Sequence, residues 1–453
     1  MLAKPRGLVD REREWEALDR FLERRQRLAV VYGPRRVGKS FLLDAMCKAA
    51  GGHRYQAITG VAAAQLDDFG RALGGWLDVG PLRLTSWADA LERLTRLDAP
   101  VVAIDELPYL IESASELPSV LQRYADEGDG PALVIAGSSM STMTDLVSAR
   151  AALYGRASTV VVPASFAGRD LAKLWQIENS VAALWVDAAV GGLPGYRPML
   201  LPPGARVDDW MIEEVLAPSS PLLDAAEAAL VDMAPQTSRG LFHTVLAAIA
   251  AGERTFSAIA RVAGRPTGAL TRPLALLERA GLVTRVPDPL RARRDTYDLA
   301  DPHLRTWLTI IAPTRPALQA GRAAEVWARV RDTTWRAQVL GPRWETVVRA
   351  HVARTAGAVI GPVDVVGATT VPDRSRRTSH EVDVIARRGR RVVALGEVKL
   401  RRLGPGEIDR LQRIRDLIGA ADARLILASA DGVDVEAGRG PGVVSIVPRD
   451  VYR

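Results

Sequence analysis

The sequence predicts an α/β protein: strands and helices around a phosphate-type loop first, a helix–turn–helix pattern in the middle, and a second, smaller α/β unit at the end. Three observations predict it. The apolar run Leu28–Tyr32 meets a glycine-rich loop, Gly33 to Ser40, that opens a helix-like stretch. A second apolar run, Val101–Ile104, ends in Asp105-Glu106. In the last third, apolar strand-like runs carry Asp383, Glu397 and Lys399.

The segment Gly33-Pro34-Arg35-Arg36-Val37-Gly38-Lys39-Ser40 is a complete G-x-x-x-x-G-K-[ST] phosphate loop. It needs a strand before it and a helix after it, and Leu28–Tyr32 and Phe41 to Ala50 fit those roles. The glycines let main-chain N–H groups curl around phosphate oxygens, and the helix presents its positive N-terminus. Lys39 is expected on the β- and γ-phosphates and Ser40 on Mg²⁺. The expected ligand is therefore a nucleoside triphosphate, ATP with Mg²⁺.

Around this loop the elements follow in order. Val9-Asp10-Arg11-Glu12 opens a helix with Asp10 as its N-cap and Trp15, Leu18, Phe21 and Leu22 at helical spacing. Tyr55–Ile58 reads as a strand, and Ala62–Leu77 and Ser86–Leu97 as amphipathic helices. Val101–Ile104 is then a buried strand that delivers two carboxylates. Asp105 is expected in the Mg²⁺ shell, and Glu106 is expected to polarise the attacking water. Leu133–Ala136 is a further strand, followed by Gly137-Ser138-Ser139. Ser138 at that tip reads as a sensor of the γ-phosphate; the alternative is that Ser139 or Ser141 simply caps a helix Met140–Leu153. Arg156, ahead of the strand Thr159–Val162, is either a finger on a transferring phosphate, in cis or toward a neighbouring subunit, or a solvated surface residue.

A length of 453 residues suggests about three domains. With 48% hydrophobic and 25% charged residues the chain is globular, not disordered. A net charge of +7 suits a polyanionic partner, although an Arg-rich composition alone could produce it. Cys47 is the only cysteine, so no disulfide forms within the chain and a Cys/His zinc site is excluded. The start of the sequence lacks the apolar core of a signal peptide, and no apolar run approaches the ~20 residues that span a bilayer. The expected location is the cytoplasm, with no membrane partner.

Taken together, Val9-Asp10-Arg11-Glu12-x-Glu14, the phosphate loop, Asp105-Glu106, Gly137-Ser138-Ser139, Tyr154-Gly155-Arg156 and Gly191-Gly192-Leu193-Pro194-x-Tyr196 resemble the archaeal-type ATPases. That family belongs to the AAA+-like STAND group of P-loop NTPases. The resemblance implies a five-stranded parallel sheet followed by a helical lid, here about Phe166–Ala234. It also implies that Val9, Arg11 and Pro194 lie close to the nucleotide. A second copy of the chain, as a homo-oligomer, is a further candidate partner.

Pro235-Gln236-Thr237-Ser238 marks a boundary. Helical patterns over Leu241–Ala251, Thr255–Gly264 and Thr267–Ala280, then Gly281-Leu282-Val283 and a basic hairpin, make a winged-helix pattern. Arg265, Thr267, Thr271 and Arg272 are expected to face DNA, and Arg285, Arg291, Arg293 and Arg294 to decorate the wing. Pro273 argues against a long straight recognition helix. The other reading is a scaffolding element packed on its neighbours. Asp301-Pro302-His303-Leu304-Arg305-Thr306-Trp307 resembles the element that ends the winged helix in the ATPase subgroup with a further C-terminal domain. Thr306 stands where that subgroup tends to have an aromatic residue.

The order after this is helix (Trp335–Ala353), strand (near Val363–Gly367), strand (Glu381–Ala386), strand (Arg391–Lys399), helix (Gly406–Ile418) and strand (Arg424–Ala428). With Glu345, Asp383 and Glu397-x-Lys399 it looks like the PD-(D/E)xK nuclease, or restriction-endonuclease-like, fold. Asp383 and Glu397 can hold one Mg²⁺ (Mn²⁺ in its place), with Glu345 as an accessory ligand. Such a cation lowers the pKa of a bound water and neutralises the scissile phosphate. Glu397 and Lys399 share a strand face, so Lys399 can act on the water or the phosphorane. The many arginines near this region, Arg374 to Arg402, favour a nucleic acid, DNA, as partner.

The sequence thus leads to residues 1–165 as ATPase core, 166–234 as helical lid, 235–325 as winged helix with a bridging helix, and 326–453 as nuclease-like domain. The expected activity is ATP-gated DNA binding and metal-dependent cleavage. The alternative is a STAND-type regulatory switch whose last domain binds DNA or a protein without cutting.

Overall fold

The computed structural model describes residues 2–5, 7–127, 129–149, 151–233, 239–292, 294–438, 440 and 442–453. Arg293 and the boundary at Pro235–Ser238 lie outside the described residues. The chain forms two compact units, one of Met1–Ser165 with Leu193–Gly195, the other of Phe166–Gly192 with Tyr196–Arg453.

In the first unit, β1 (Leu28–Tyr32), β2 (His53–Gln56), β3 (Val101–Asp105), β4 (Ala132–Gly137) and β5 (Thr159–Val161) build a wholly parallel sheet in the order β2-β3-β4-β1-β5. Successive side chains alternate between its faces. Leu28, Val30, Val102, Ile104, Leu133 and Ile135 enter one core. Ala29, Val31, Val101, Ala103, Val134 and Ala136 enter the other. Both faces are covered, which is why these strands read as continuous apolar runs. The ends of β1 and β4 come level, with Tyr32 opposite Gly137, so the segments that follow them emerge at one edge. Ligands of open α/β sheets bind at that carboxyl edge.

Several local expectations change. The first helix is Glu12–Glu23; its N-cap is Arg11, without a side-chain cap, and Asp10 has φ 43°. A left-handed Asp10 cannot adopt the extended backbone of an N-cap. The helix after β4 is Met140–Val147, ending where Ser148 turns extended. The helices Leu107–Ser113 and Leu117–Glu127, between β3 and β4, were not expected from the pattern.

In the second unit, the helices Arg239–Ala250, Phe256–Val262 and Thr271–Arg279 precede an antiparallel hairpin of β6 (Val283–Val286) and β7 (Thr296–Leu299). The recognition-helix region is split: Thr267–Leu270 is a 3₁₀ turn and the α-helix starts at Thr271. Pro273 therefore lies in a first turn, where its missing N–H removes no helical bond.

The last five strands are β8 (Val365–Asp373), β9 (Thr378–Arg388), β10 (Arg391–Lys399), β11 (Arg424–Ser429) and β12 (Val443–Ile446). They form a mixed sheet, β12-β11-β10-β9-β8, antiparallel for β8-β9-β10 and parallel for β10-β11-β12. The expected helix over Trp335–Ala353 is π-helical over Arg331–Leu340 and α-helical over Gly341–Val359.

The hairpin loop is docked on this sheet. A Cβ on Gly367 of β8 would meet the Pro287 carbonyl at 2.0 Å, so only glycine fits there. Thr369 Oγ1 donates to Asp288 Oδ1 at 2.8 Å, and Leu290 packs on the sheet's apolar core. Asp288 Oδ1 also accepts from the main-chain N–H groups of Leu290 and Arg291. Arg285 pairs with Glu278 and Asp295 instead of standing free on a wing. Arg265, Thr267, Thr271 and Arg272 are exposed. Among the described residues no helix is long and apolar enough to cross a membrane.

Candidate functional site

The phosphate loop leaves β1 at Gly33 and enters the helix Lys39–Ala50 through Gly38. Gly38 has φ 97°, a conformation open to glycine and costly for other residues. The helix has no acidic residue in its first turn, which leaves its positive N-terminus available to an anion. Lys39 is 4% exposed and donates to the carbonyls of Gly33 at 2.9 Å and Pro34 at 3.2 Å. Burial pulls its pKa below the usual lysine range, against the pull of Glu106 and Asp105. A buried ammonium whose hydrogen-bond partners are neutral carbonyls, beside a helix N-terminus, fits a polyphosphate. Ser40, Pro34, Arg35 and Arg36 are exposed, while Gly33 and Val37 are buried.

Two outlying pieces hold the loop. Arg11 donates to the carbonyls of Val37 at 2.9 Å and Ala164 at 2.7 Å, and pairs with Glu14 at 3.0 Å. Val9 is half-buried in the turn before it. From Leu193–Gly195, the Gly195 N–H donates to the Arg36 carbonyl at 3.0 Å. Pro194 Cγ lies 3.9 Å from where a Cβ on Gly38 would stand.

Asp105, at the end of β3, is fully buried. Its Oδ1 accepts the Glu106 N–H at 3.0 Å, and its Oδ2 faces Arg54 at 3.2 Å. Arg54, on β2, is a partner that sequence reading missed. Only the register Gln56 to Asp105 brings it there. Glu106 has φ 55°, a strained conformation for a non-glycine residue at a sheet edge. One of its oxygens accepts both the Ser138 N–H at 3.0 Å and the Ser138 hydroxyl at 2.7 Å. Of the two candidates Ser139 and Ser141, Ser139 caps the next helix, its hydroxyl accepting from the Thr142 N–H. Arg156 is held by both oxygens of Asp126, at 2.8 and 2.9 Å. Asp105 and Ser40 are oxygen donors of the kind Mg²⁺ takes.

A second polar cluster lies on β9 and β10. Lys399 Nζ meets Asp383 Oδ2 at 2.8 Å and Glu397 Oε1 at 3.0 Å. Asp383 Oδ2 also accepts the Val398 N–H at 2.9 Å. Burial works against the Lys399 ammonium, but Asp383 and then Glu397 outweigh it and hold its pKa above the usual lysine range. Arg410 pairs with the other oxygen of Glu397. The two carboxylates and the lysine are thus brought together, and oxygen donors of this kind suit a hard divalent cation. Glu345 pairs with Arg254 at 3.1 Å and with Arg349 at 3.6 Å. Arg349 in turn donates to the Asp383 carbonyl at 3.1 Å. Among the described residues, no group of three or more His, Cys, Asp or Glu side chains is gathered as a metal site.

Comparisons with known proteins agree with the first part of this picture. Residues 8–176 match the family model described as an ATPase domain predominantly from Archaea. Residues 243–294 match the MarR family. Among solved structures, the Walker-type ATPase of Pyrococcus abyssi has 20% identity and a TM-score of 0.52, over 68% of this chain and 98% of that one. The Aeropyrum pernix ORC2 protein, in ADPNP-ADP complexes, has 16% identity and a TM-score of 0.45, over 71% of this chain and 96% of that one. No curated protein matches the sequence. The chain carries an archaeal-type P-loop ATPase domain followed by a MarR-like winged-helix region.

Proposed function

We propose that the protein is an ATP-hydrolysing switch whose nucleotide state governs DNA binding by its winged helix and metal-dependent phosphodiester cleavage by its C-terminal sheet. The observation that carries the ATPase part of this reading is the convergence of the phosphate loop, Asp105 and Ser138-held Glu106 at one sheet edge. Main-chain N–H groups of the phosphate loop, other than at Pro34, and the Lys39 ammonium bind the triphosphate. Ser40 and Asp105 hold Mg²⁺. When bound, Mg·ATP supplies the phosphoryl group and a cation that offsets its charge. Glu106 orients the water, and Ser138 sets where Glu106 points. Arg11 and Gly195 brace the loop through Val37 and Arg36.

Arg265, Thr267, Thr271 and Arg272 are the DNA-facing set, supported by their exposure and by the MarR-family match. At the C-terminal sheet, Asp383 and Glu397 would hold the divalent cation, and Lys399 would orient the water. The working division is 1–165 ATPase core, 166–234 lid, 235–325 winged helix and 326–453 nuclease-like domain, in a cytoplasmic protein.

The test is nucleotide affinity together with cleavage of single-stranded, duplex and branched DNA in Mg²⁺ and Mn²⁺, with and without ATP. Lys39→Ala should weaken nucleotide binding about tenfold or more, the loss of charge-assisted bonds. An unchanged affinity would sink the ATPase reading. Cleavage lost in Lys399→Ala supports the nuclease reading. A second reading, a regulatory switch that binds DNA without cutting, is favoured by the ion pairs on Glu397 and Glu345. Salt-sensitive DNA binding with no cleavage by wild type would select it.

A further inference from the structure

Arg410 stands on the helix Pro405–Leu417, thirteen residues after Glu397. One of its guanidinium nitrogens donates to Glu397 Oε2, and the other donates to the Glu381 carbonyl at 2.7 Å. Lys399 meets the other Glu397 oxygen, Oε1, at 3.0 Å. Both oxygens of Glu397 therefore carry a cationic donor. The Glu397 side chain is 7% exposed and that of Arg410 33%, so the guanidinium reaches a sunken carboxylate from the solvent side. A carboxylate that deep is costly to leave without a positive partner.

We infer that Arg410 is an exchangeable positioning residue of the C-terminal site. It holds Glu397 until a divalent cation takes Oε2, and its guanidinium then binds the phosphodiester. This rests on the cleavage reading above.

The exchange follows from charge and geometry. Arg410 and a divalent cation compete for the same oxygen, and two positive charges at contact on one oxygen repel. The second anchor of Arg410 is a neutral carbonyl, so release from Glu397 leaves it without a charged partner there. The planar fork of arginine matches two phosphate oxygens, which makes a backbone phosphate a suitable next partner. The helix start is fixed, with the Gly404 N–H donating to Glu407 at 2.9 Å and Glu407 paired with Arg401 at 2.7 Å. Movement then belongs to the Arg410 side chain.

The experiment uses the full chain without nucleotide. Binding of Mn²⁺ alone is followed by electron paramagnetic resonance. The relevant site is the one lost in the double variant Asp383→Asn/Glu397→Gln. Binding of duplex DNA is measured in parallel, in Ca²⁺ and in EDTA. Arg410→Ala should bind Mn²⁺ at that site about fivefold or more tightly than wild type, the size of an ordinary coupling between two ligands. It should bind DNA about fivefold or more weakly in Ca²⁺ and equally well in EDTA. Arg410→Lys should fall between, and Arg410→Gln, which keeps more of the side chain, should show the same two changes from wild type and replaces Arg410→Ala where that variant does not fold. Equal Mn²⁺ affinity in wild type and Arg410→Ala, with the site present, overturns the exchange. A tighter Mn²⁺ site with unchanged DNA binding in Ca²⁺ overturns the transfer to phosphate. If the double variant loses no Mn²⁺ site, the cleavage reading itself fails and takes this inference with it.

Discussion

Ser138 donates both its main-chain N–H and its hydroxyl to a single oxygen of Glu106, at 3.0 and 2.7 Å. The residue read from sequence as a sensor of phosphate thus has hold of the residue read as polarising water. Glu106 is also kept in a left-handed backbone, φ 55°, so its carboxylate is aimed by two constraints. Ser138→Ala should leave the N–H bond and remove the hydroxyl bond. We expect kcat for ATP hydrolysis to fall about tenfold to a hundredfold, less than the ~10²–10⁴-fold of a lost acid–base group because the main-chain N–H bond still holds Glu106. Nucleotide affinity should stay close to wild type, because the hydroxyl acts on the water's partner and not on the phosphates. Steady-state ATPase kinetics beside a fluorescent-nucleotide titration separate the two.

Asp187 is fully buried and shared by Arg343, at 2.6 and 2.9 Å, and the Tyr452 hydroxyl, at 2.6 Å. It joins three helices of the second unit, Ser180–Val190, Gly341–Val359 and Pro448–Tyr452. Arg343→Met strands the carboxylate and should cost about 3–5 kcal/mol. Tyr452→Phe removes one bond to a charged acceptor and should cost about 1.5–3 kcal/mol. Denaturant unfolding of the two variants should preserve that order; an equal or reversed order would mean the tyrosine carries the cluster.

The hairpin loop at Pro287–Leu290 is clasped by Gly367 and Thr369 of β8. Gly367→Val should force the loop off the sheet, at a cost of about 1–3 kcal/mol as for other overpacked sites. Trypsin should then cut at Arg291 and Arg294 faster than in wild type. Thr369→Val should speed the same cleavage less, since it removes one hydrogen bond and leaves the packing. Unchanged cleavage in both would mean the loop is held by other contacts.

Cys47 is buried, and burial raises its thiol pKa to about 12, so the native protein should resist a thiol-reactive disulfide at pH 8. Reaction should appear only on unfolding, which makes this thiol an internal reporter of the first unit.

A pH dependence follows from His53, which stacks on Trp76 at 5.0 Å. Burial, then Arg54, depresses its pKa below the ordinary 6.5. The unfolded chain binds that proton first as pH falls. Its contribution to stability is therefore present above 6.5 and lost as pH drops from there through the lower folded value. His53→Gln should flatten that part of the stability curve. A curve of unchanged slope would assign the acid sensitivity elsewhere.

The parts that were legible in the sequence are local or periodic. The phosphate loop is a contiguous run, and Gly38 has the positive φ such a loop uses. β4, and β3 up to Asp105, are apolar because both sheet faces are covered, so strand placement needed no knowledge of neighbours. That Glu397 and Lys399 share a strand face followed from strand period alone, and that Asp383 lies beside Glu397's strand followed from the hairpin β9–β10. Periodicity also explains the misses: the helices Leu107–Ser113 and Leu117–Glu127 are short and follow directly on a motif, where one reading obscured the other.

What the sequence by itself determined about this protein is where strands, helices and phosphate-type chemistry begin and end. Only the tertiary structure decided which cation meets which acid. Arg54 reaches Asp105 across 51 residues, and Tyr452 reaches Asp187 across 265. Arg254 reaches Glu345 across 91. The reason is physical. Backbone geometry and hydrophobic periodicity are set by neighbours along the chain, whereas a buried charge is settled by whichever opposite charge the packing brings within a few ångströms, and that distance is unrelated to separation in sequence.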